Sequence, residues 1–404
     1  MQSTKTRVQA NARARSLQID LLKGMAILVV IFQHSMSGAT FQQIGAPIYL
    51  HQAVGMFMVL AGYNAALSYA RRGVDSVAAG YQWPALSRAL TRLLAPYLTI
   101  MAIEVLLSTD RQATTAGEYT TRLLIGGWGW GSYFVPVIVV HTLLFPIVYR
   151  FAQQGPALLL PVAFGVSMAF ELVTYHLGVP DAVYEPIYVR YLFAVALGVW
   201  LATSRPRPIW VFALAAFGLV YAYAQEYLDL PVPLNDAWAS RAAPAAGLAL
   251  GCVVAGLENL PRQTSRLAWR TLGELGRASY HIFLVQGVYF WRFFHRESGL
   301  GEYLGAGFAI VLLCLVGWLF YRAEQALRDA WQSARRPAPL AADAAASARA
   351  PASLATMRSF SLRLPRRDAR PSRLRARQRQ REPAAGMEAS LPNEGGVESP
   401  SRRG

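Results

Sequence analysis

Long runs of apolar residues, separated by charges, prolines and turn-forming residues, are the main pattern along the chain. A transmembrane helix needs about 20 mainly apolar residues, and these runs have about that length. The pattern therefore predicts ten membrane-spanning helices. They cover approximately residues 20–38, 48–70, 90–108, 131–150, 156–177, 186–203, 208–225, 240–257, 275–294 and 303–325. The ninth is the least apolar, because "LGELGRASYHIFLVQGVYFWRFFH" mixes polar with aromatic residues.

Composition agrees with this pattern. Hydrophobic residues make up 54% of the chain and charged residues 15%, whereas an average soluble domain has roughly 25% charged residues. Cys252 and Cys314 both lie inside apolar runs, without a second cysteine or a histidine at metal-ligand spacing. We therefore expect an all-α polytopic membrane protein with no disulfide framework and no metal site.

Basic residues in the loops predict the orientation, since Lys and Arg accumulate on the cytoplasmic side. They occur before the first span and in the loops between spans two and three, six and seven, and eight and nine, namely Lys5, Arg7, Arg13, Arg15, Arg71, Arg72, Arg88, Arg205, Arg207, Arg262, Arg266 and Arg270. The alternate loops are poorer in Lys and Arg, with Arg111, Arg122 and Arg296 as exceptions. Both termini are predicted to be cytoplasmic.

The two ends of the chain differ from its centre. Residues 1–16 form a basic segment, and no small-residue cleavage site follows the first apolar run, so we expect that run to remain as a helix. Residues 17–328 form the predicted membrane domain. Residues 329–404 are rich in Ala, Pro, Ser and Arg, which predicts a disordered basic cytoplasmic tail. This tail either contacts anionic lipids or is merely solvated.

The net charge of +16 does not form one basic patch on a soluble domain. Basic residues are instead scattered between apolar segments and concentrated in the tail. This distribution argues against nucleic acid as a partner and leaves membrane lipids as the expected contact.

The first apolar run, "IDLLKGMAILVVIFQH", carries three ionisable residues. Lys23 and His34 are eleven positions apart, which at about 100° per residue leaves them only about 20° out of register on a helix. Their rise is about 16 Å, so Lys23 at the cytoplasmic interface would leave His34 well along the membrane path. Asp20 lies near the same face and is a candidate partner for Lys23.

A histidine in an apolar span either bonds a neighbouring helix or faces a functional cavity. The same two alternatives apply to the other ionisable residues within predicted spans. Glu104 lies in the third span, His141 in the fourth, Glu171 in the fifth and Arg190 at the start of the sixth. We expect His141, Arg190 and Glu171 to be candidates for lining the same cavity as His34.

Trp and Tyr residues precede the fourth predicted span in "GGWGWGSYF". Such residues are enriched at both membrane interfaces, so an interfacial belt is the first interpretation. Because aromatic side chains also stack on sugar rings, the segment is a weaker indication of a carbohydrate ligand.

Lys23 and His34, with ten residues between them, resemble the first-span motif of membrane acyltransferase family 3. Other segments are similar to that family in the same order over approximately residues 16–325. They are "VGMFMVLAGYNAALSYARR", "SRALTRLLAPYL", "GSYFVPVIVVHTLLFPIVYR", "VRYLFAVALGVWL" and "LGELGRASYHIFLVQ". Three features depart from the family pattern: Ala61 replaces a serine, Lys23 replaces the commoner arginine, and Arg88 and Arg92 are one residue further apart than usual.

The resemblance implies an O-acyltransferase of the bacterial inner membrane. It would move an acetyl group from acetyl-CoA, a substrate rather than a cofactor, to a hydroxyl of a cell-surface or lipid-linked carbohydrate. His34 would act as general base or as acyl-accepting nucleophile, with Asp20 orienting Lys23. Lys23, Arg88 and Arg92 would contact the donor phosphates, although the two arginines also fit ordinary positive-inside topology.

Two other classes of protein also fit the sequence. Ten spans with buried ionisable groups suit a transporter or flippase of glycans or lipids. A non-catalytic membrane subunit of a polysaccharide synthesis complex is the third interpretation. Substitution of His34 distinguishes these classes, because only a transferase is expected to need it for acyl transfer.

Overall fold

The computed structural model describes residues 17–107, 115–129, 131–228, 242–294 and 300–334. The predicted segment 1–16 and residues 335–404 of the predicted tail lie outside this part. Within it, every regular element is a helix. The ten long helices are α1 (Leu17–Ser35), α2 (Gln52–Arg72), α3 (Trp83–Leu107), α4 (Phe134–Gln154), α5 (Pro156–His176), α6 (Leu192–Ser204), α7 (Pro208–Tyr227), α8 (Ala242–Asn259), α9 (Leu267–Arg292) and α10 (Leu300–Ala334).

Short helices lie in several of the connections. They are Gly38–Gln43, Ala46–Tyr49, Val77–Gly80, Ala116–Ile125, Asp181–Tyr184 and the 3₁₀ helix Tyr188–Tyr191. Hydroxyl side chains cap three of them: Ser37, Ser76 and Thr115 each accept a backbone N–H of the first turn. These caps satisfy N–H groups that would otherwise lack a partner at the helix start.

The ten long helices coincide with the ten predicted apolar runs, and the all-helical fold class is confirmed. Six of them, α1 to α5 and α10, are long and apolar enough to cross a membrane. The apolar stretches of α6, α7 and α8 are shorter. Helix α9 falls in neither group, because polar residues such as Arg277 and Gln286 interrupt its apolar positions. The protein is thus a multi-pass membrane protein, while ten crossings and cytoplasmic termini stay predictions.

Large apolar side chains are exposed on the outer helices. Phe212 and Val220 of α7 and Phe308 and Val311 of α10 are each more than half exposed. On a membrane-spanning bundle such side chains contact lipid acyl chains. Helix α10 also continues to Ala334, past residue 329, where the tail was predicted to begin.

Glycines allow the central helices to pack with their backbones in contact, as small residues do in membrane bundles. Gly276 of α9 lies against the carbonyl of Asp20, and Gly24 of α1 lies against the carbonyl of Leu272. Leu17 also meets Gly273 of α9. At the far end of the pair His34 meets Phe290. Contacts at both ends show that α1 and α9 run parallel, and this pair positions the candidate site.

Candidate functional site

His34 lies near the C-terminal end of α1, where its side chain is half-buried. Its ring centre is 5.5 Å from that of Phe290 on α9. Gly131 also borders the imidazole: a Cβ there would lie 3.6 Å from His34 Nε2 and 3.5 Å from the Phe283 ring. Because α1 is one continuous helix, Lys23 is on the same face, about 16 Å away.

Residues 126–129 and 131–132, here called the glycine loop, lie between the short helix Ala116–Ile125 and α4. Gly126, Gly127 and Gly131 have φ values of 114°, 108° and 80°, in the left-handed region that favours glycine. A Cβ at Gly129 would lie 2.5 Å from the carbonyl carbon of Gly287 on α9. The loop therefore packs backbone to backbone on α9 and brings Gly131 to the imidazole of His34.

The aromatic residues of this segment were predicted to lie at the membrane interface. Trp128 is instead buried, with its ring centre 5.7 Å from that of Tyr119 and 6.2 Å from that of Trp291. Trp130 lies outside the described residues. Trp128 thus anchors the glycine loop in the protein interior.

Glu302 of α10 holds the turn that follows His34. Its carboxylate accepts the backbone N–H of Ser37 and, at 2.7 Å, the hydroxyl of Thr40. The side chain is buried, and the two bonds fix the position where α1 ends. Glu302 was not predicted as a site residue. In the sequence it is only an acidic residue at the start of the last apolar run.

Asp20 is only 1% exposed and receives a hydrogen bond from Arg277 Nε of α9 at 3.2 Å. Arg277 also bonds Glu274 at 2.6 Å. The pairing of Asp20 with Lys23 stays a prediction, and Arg277 is a partner that was not predicted. The available signal was an arginine near the start of the ninth run, which also contains Arg292 near its end.

The candidate donor-binding residues lie at one end of the bundle. Tyr280 of α9 donates a hydrogen bond to the carbonyl of Leu93 at 2.7 Å, which joins the first half of α3 to α9. Gly276, one turn before Tyr280, contacts Asp20, which is about one turn before Lys23 on the parallel helix α1. Because Arg92 is next to Leu93, Lys23 and Arg92 lie at a similar depth along the bundle. Arg88, one turn before Arg92, is exposed like it, whereas Lys23 is half-buried.

His141 lies in a separate environment. It is buried on α4, and its Nδ1 is 3.3 Å from the hydroxyl of Tyr188. Its ring also packs on Phe145, with centres 5.1 Å apart. The contact with Tyr188 matches the alternative in which His141 bonds a neighbouring segment.

Glu171 and Arg190, the other two candidate cavity residues, come together with tyrosines. The Arg190 guanidinium is 4.9 Å from the ring centre of Tyr184 and 5.3 Å from that of Tyr191. Glu171, fully buried on α5, interacts electrostatically with Arg190. Tyr133, which shares a hydrogen bond with Tyr191, directly follows the glycine loop. This cluster is therefore linked through the loop to the wall beside His34.

The described residues include no group of three or more His, Cys, Asp or Glu side chains that could hold a metal ion. They do provide an imidazole beside a shaped loop, with the basic side chain of Lys23 about 16 Å away along the same helix. Such an arrangement can bind an extended anionic molecule at one end and accept a proton at the other.

Comparison with known proteins gives a match to a family model. No curated protein and no solved structure matches the chain. A family model described as an acyltransferase domain matches residues 16–322, which include α1 to α9, most of α10 and the whole candidate site. The order of the sequence motifs, the all-helical membrane fold and this match agree, and the chain belongs to membrane acyltransferase family 3.

Proposed function

We propose that this acyltransferase moves an acetyl group from acetyl-CoA to a hydroxyl of a cell-surface or lipid-linked carbohydrate. It would act in the bacterial inner membrane with ten spans and cytoplasmic termini. The observation that carries the proposal is the position of His34, half-buried next to Phe290 and Gly131 and on the same helix face as Lys23. The acetyl group and the carbohydrate come from the family resemblance.

His34 is the general base in this proposal. Its neutral imidazole removes the proton from the acceptor hydroxyl while the hydroxyl oxygen attacks the thioester carbon. The C–O bond forms, the C–S bond breaks, and the sulfur leaves with the proton that the imidazolium returns. The products are the acetyl ester and free CoA. General base catalysis of this kind contributes about 10² to 10⁴ in rate.

Lys23 binds the donor. Its ammonium group attracts the phosphates of CoA, and Arg88 and Arg92, exposed at the same end of the bundle, add charge there. The distance of about 16 Å from Lys23 to His34 suits an extended pantetheine arm, which carries the thioester from the phosphates toward the imidazole. Asp20, bonded to Arg277, is a positioning residue in this proposal.

The acceptor enters from the side of the glycine loop. Gly131 leaves space beside His34 Nε2, and the Arg190 cluster with Glu171 lies beyond Tyr133. Buried groups that donate and accept hydrogen bonds suit a polyhydroxylated ligand. His141, bonded to Tyr188, is the third candidate residue for lining the acceptor side.

The test is CoA release by purified protein in nanodiscs, supplied with acetyl-CoA and cell-envelope glycan extract. We expect glycan-dependent release by wild type and a loss of at least about 10²-fold in His34→Ala. His176→Ala, at an exposed histidine ending α5, is the matched control and should retain activity. Lys23→Ala should raise the donor KM, and Lys23→Arg should restore it.

Two outcomes contradict the proposal. If folded wild type binds no acetyl-CoA, or if His34→Ala releases CoA at the wild-type rate, the protein does not use this site for acetyl transfer. Glycan or lipid movement across vesicles in the absence of an acyl donor would then support the transporter hypothesis.

A further inference from the structure

The glycine loop is held by one buried carboxylate of α3. Glu104, 1% exposed, accepts the backbone N–H of Trp128 through Oε2 at 3.1 Å and also accepts the N–H of Gly129. The same oxygen would lie 2.5 Å from a Cβ at Gly127. Three consecutive loop residues are therefore arranged around a single side chain.

A carboxylate within an apolar span is costly to bury, so its bonds to the loop require an explanation. The N–H groups of Gly126 and Gly127 still bond the carbonyl of Arg122 at the end of the short helix. Beyond them the left-handed glycines turn the chain out of the helix, so the N–H groups of Trp128 and Gly129 need another acceptor. Glu104 supplies the missing acceptors at that point. On its far side the loop contacts α9 at Gly287.

The end of the loop reaches the reaction centre proposed above. Gly131 lies two residues after Gly129 and borders His34 Nε2 and the ring of Phe283. A shift of the loop away from α9 therefore moves the wall beside the imidazole. Misplacement of about 1 Å in such a wall can cost 10²-fold in rate.

We propose that Glu104 is a positioning residue: it fixes the glycine loop against α9 so that Gly131 borders the acceptor side of His34. The proposal rests on the proposed transferase function for its kinetic consequence. Its structural consequence, the access of reagents to His34 Nε2, does not depend on that function.

Two measurements on the full-length protein in nanodiscs test this role. The first is kcat and donor KM for CoA release. The second is the rate at which diethyl pyrocarbonate modifies His34, followed by peptide mass spectrometry. In Glu104→Ala we expect kcat to fall about 10²-fold and the donor KM to change little, because Lys23 lies about 16 Å along α1 from His34, which the loop borders. The modification rate of His34 should rise several-fold.

Conservative substitution and a matched control separate positioning from simple loss of structure. Glu104→Gln keeps a carbonyl oxygen that accepts the Trp128 N–H, so it should restore most of kcat and the protection of His34. Glu118→Ala makes the same change at an exposed residue that caps Ala116–Ile125. It should leave both kcat and His34 modification near wild type.

Each remaining outcome has a definite meaning. If Glu104→Ala folds and its kcat and His34 modification rate equal those of wild type, the proposal is overturned. The proposal is also overturned if kcat falls only as much as the fraction of folded protein falls, while His34 is modified at the wild-type rate. If Glu104→Ala does not fold, Glu104→Asp, whose shorter side chain reaches the loop less well, replaces it under the same criteria.

If wild type transfers no acetyl group, the proposed function fails, but the His34 modification rates still decide the role of Glu104. Faster modification in Glu104→Ala would then support the positioning role, and equal rates would overturn it.

Discussion

The substitution Gly131→Ala tests the geometry beside His34 most directly. The new methyl carbon would lie 3.6 Å from His34 Nε2 and 3.5 Å from the Phe283 ring. An acceptor hydroxyl must come within about 2.6–3.2 Å of the base to give up its proton. Since a methyl group at that position occupies the approach to Nε2, we expect the hydroxyl to be displaced.

Two energies describe the expected result. Gly131 has a φ of 80°, and alanine in a left-handed conformation costs roughly 1–2 kcal/mol in stability. Displacement of the hydroxyl removes general base catalysis, a loss of at least about 10²-fold in kcat, or about 2.7 kcal/mol in the barrier. The catalytic loss should thus exceed what the strain alone produces.

Gly178→Ala separates the two effects. Gly178 has a φ of 61°, and nothing lies within 4 Å of a Cβ there, so alanine meets similar strain away from His34. Both variants should show a similar decrease in the thermal unfolding temperature in detergent, whereas only Gly131→Ala should lose CoA release. Equal kcat in the two variants would refute the position assigned to Gly131.

Three further predictions concern other contacts. Arg277→Met removes a charged partner of the buried Asp20 and should lower unfolding stability by about 1–2 kcal/mol, seen as a lower unfolding temperature; an unchanged temperature would contradict it. Gly276→Ala should cost about 1–3 kcal/mol because its Cβ meets the Asp20 carbonyl, whereas Gly305→Ala, with no neighbour within 4 Å, should have little effect on unfolding. His141→Phe should keep kcat within about threefold, since His141 mainly packs and bonds a tyrosine; a loss of about 10²-fold would assign it to the reaction cavity.

The helices could be predicted because the membrane makes length and apolarity decisive. A long helix overlaps each predicted run, and the shared face of Lys23 and His34 follows from the continuity of α1. Helix α9 is the least apolar of the ten, because polar residues such as Ser279, His281 and Gln286 lie in the protein interior rather than toward lipid. Local hydropathy does not distinguish these two surroundings.

The surroundings of His34 could not be predicted in the same way. The glycine loop has its conformation because Gly129 meets Gly287 and Glu104 accepts its N–H groups, and these partners come from distant parts of the chain. In sequence, "GGWGWGSYF" resembles an aromatic belt. Arg277 and Glu302 act through tertiary contacts of the same kind. Only the assembled helices reveal these partners.

The pairing of α1 with α9 also constrains how the protein is made. Asp20 and Arg277 are 257 positions apart, so the ribosome releases α1 long before its main neighbour exists. Until α9 enters the membrane, the carboxylate of Asp20 lacks Arg277, and the surface around Gly24 lacks the backbone that covers it. Chains that stop after α8 should therefore be substrates for membrane proteases, and assembly of the first helix is completed only near the end of synthesis.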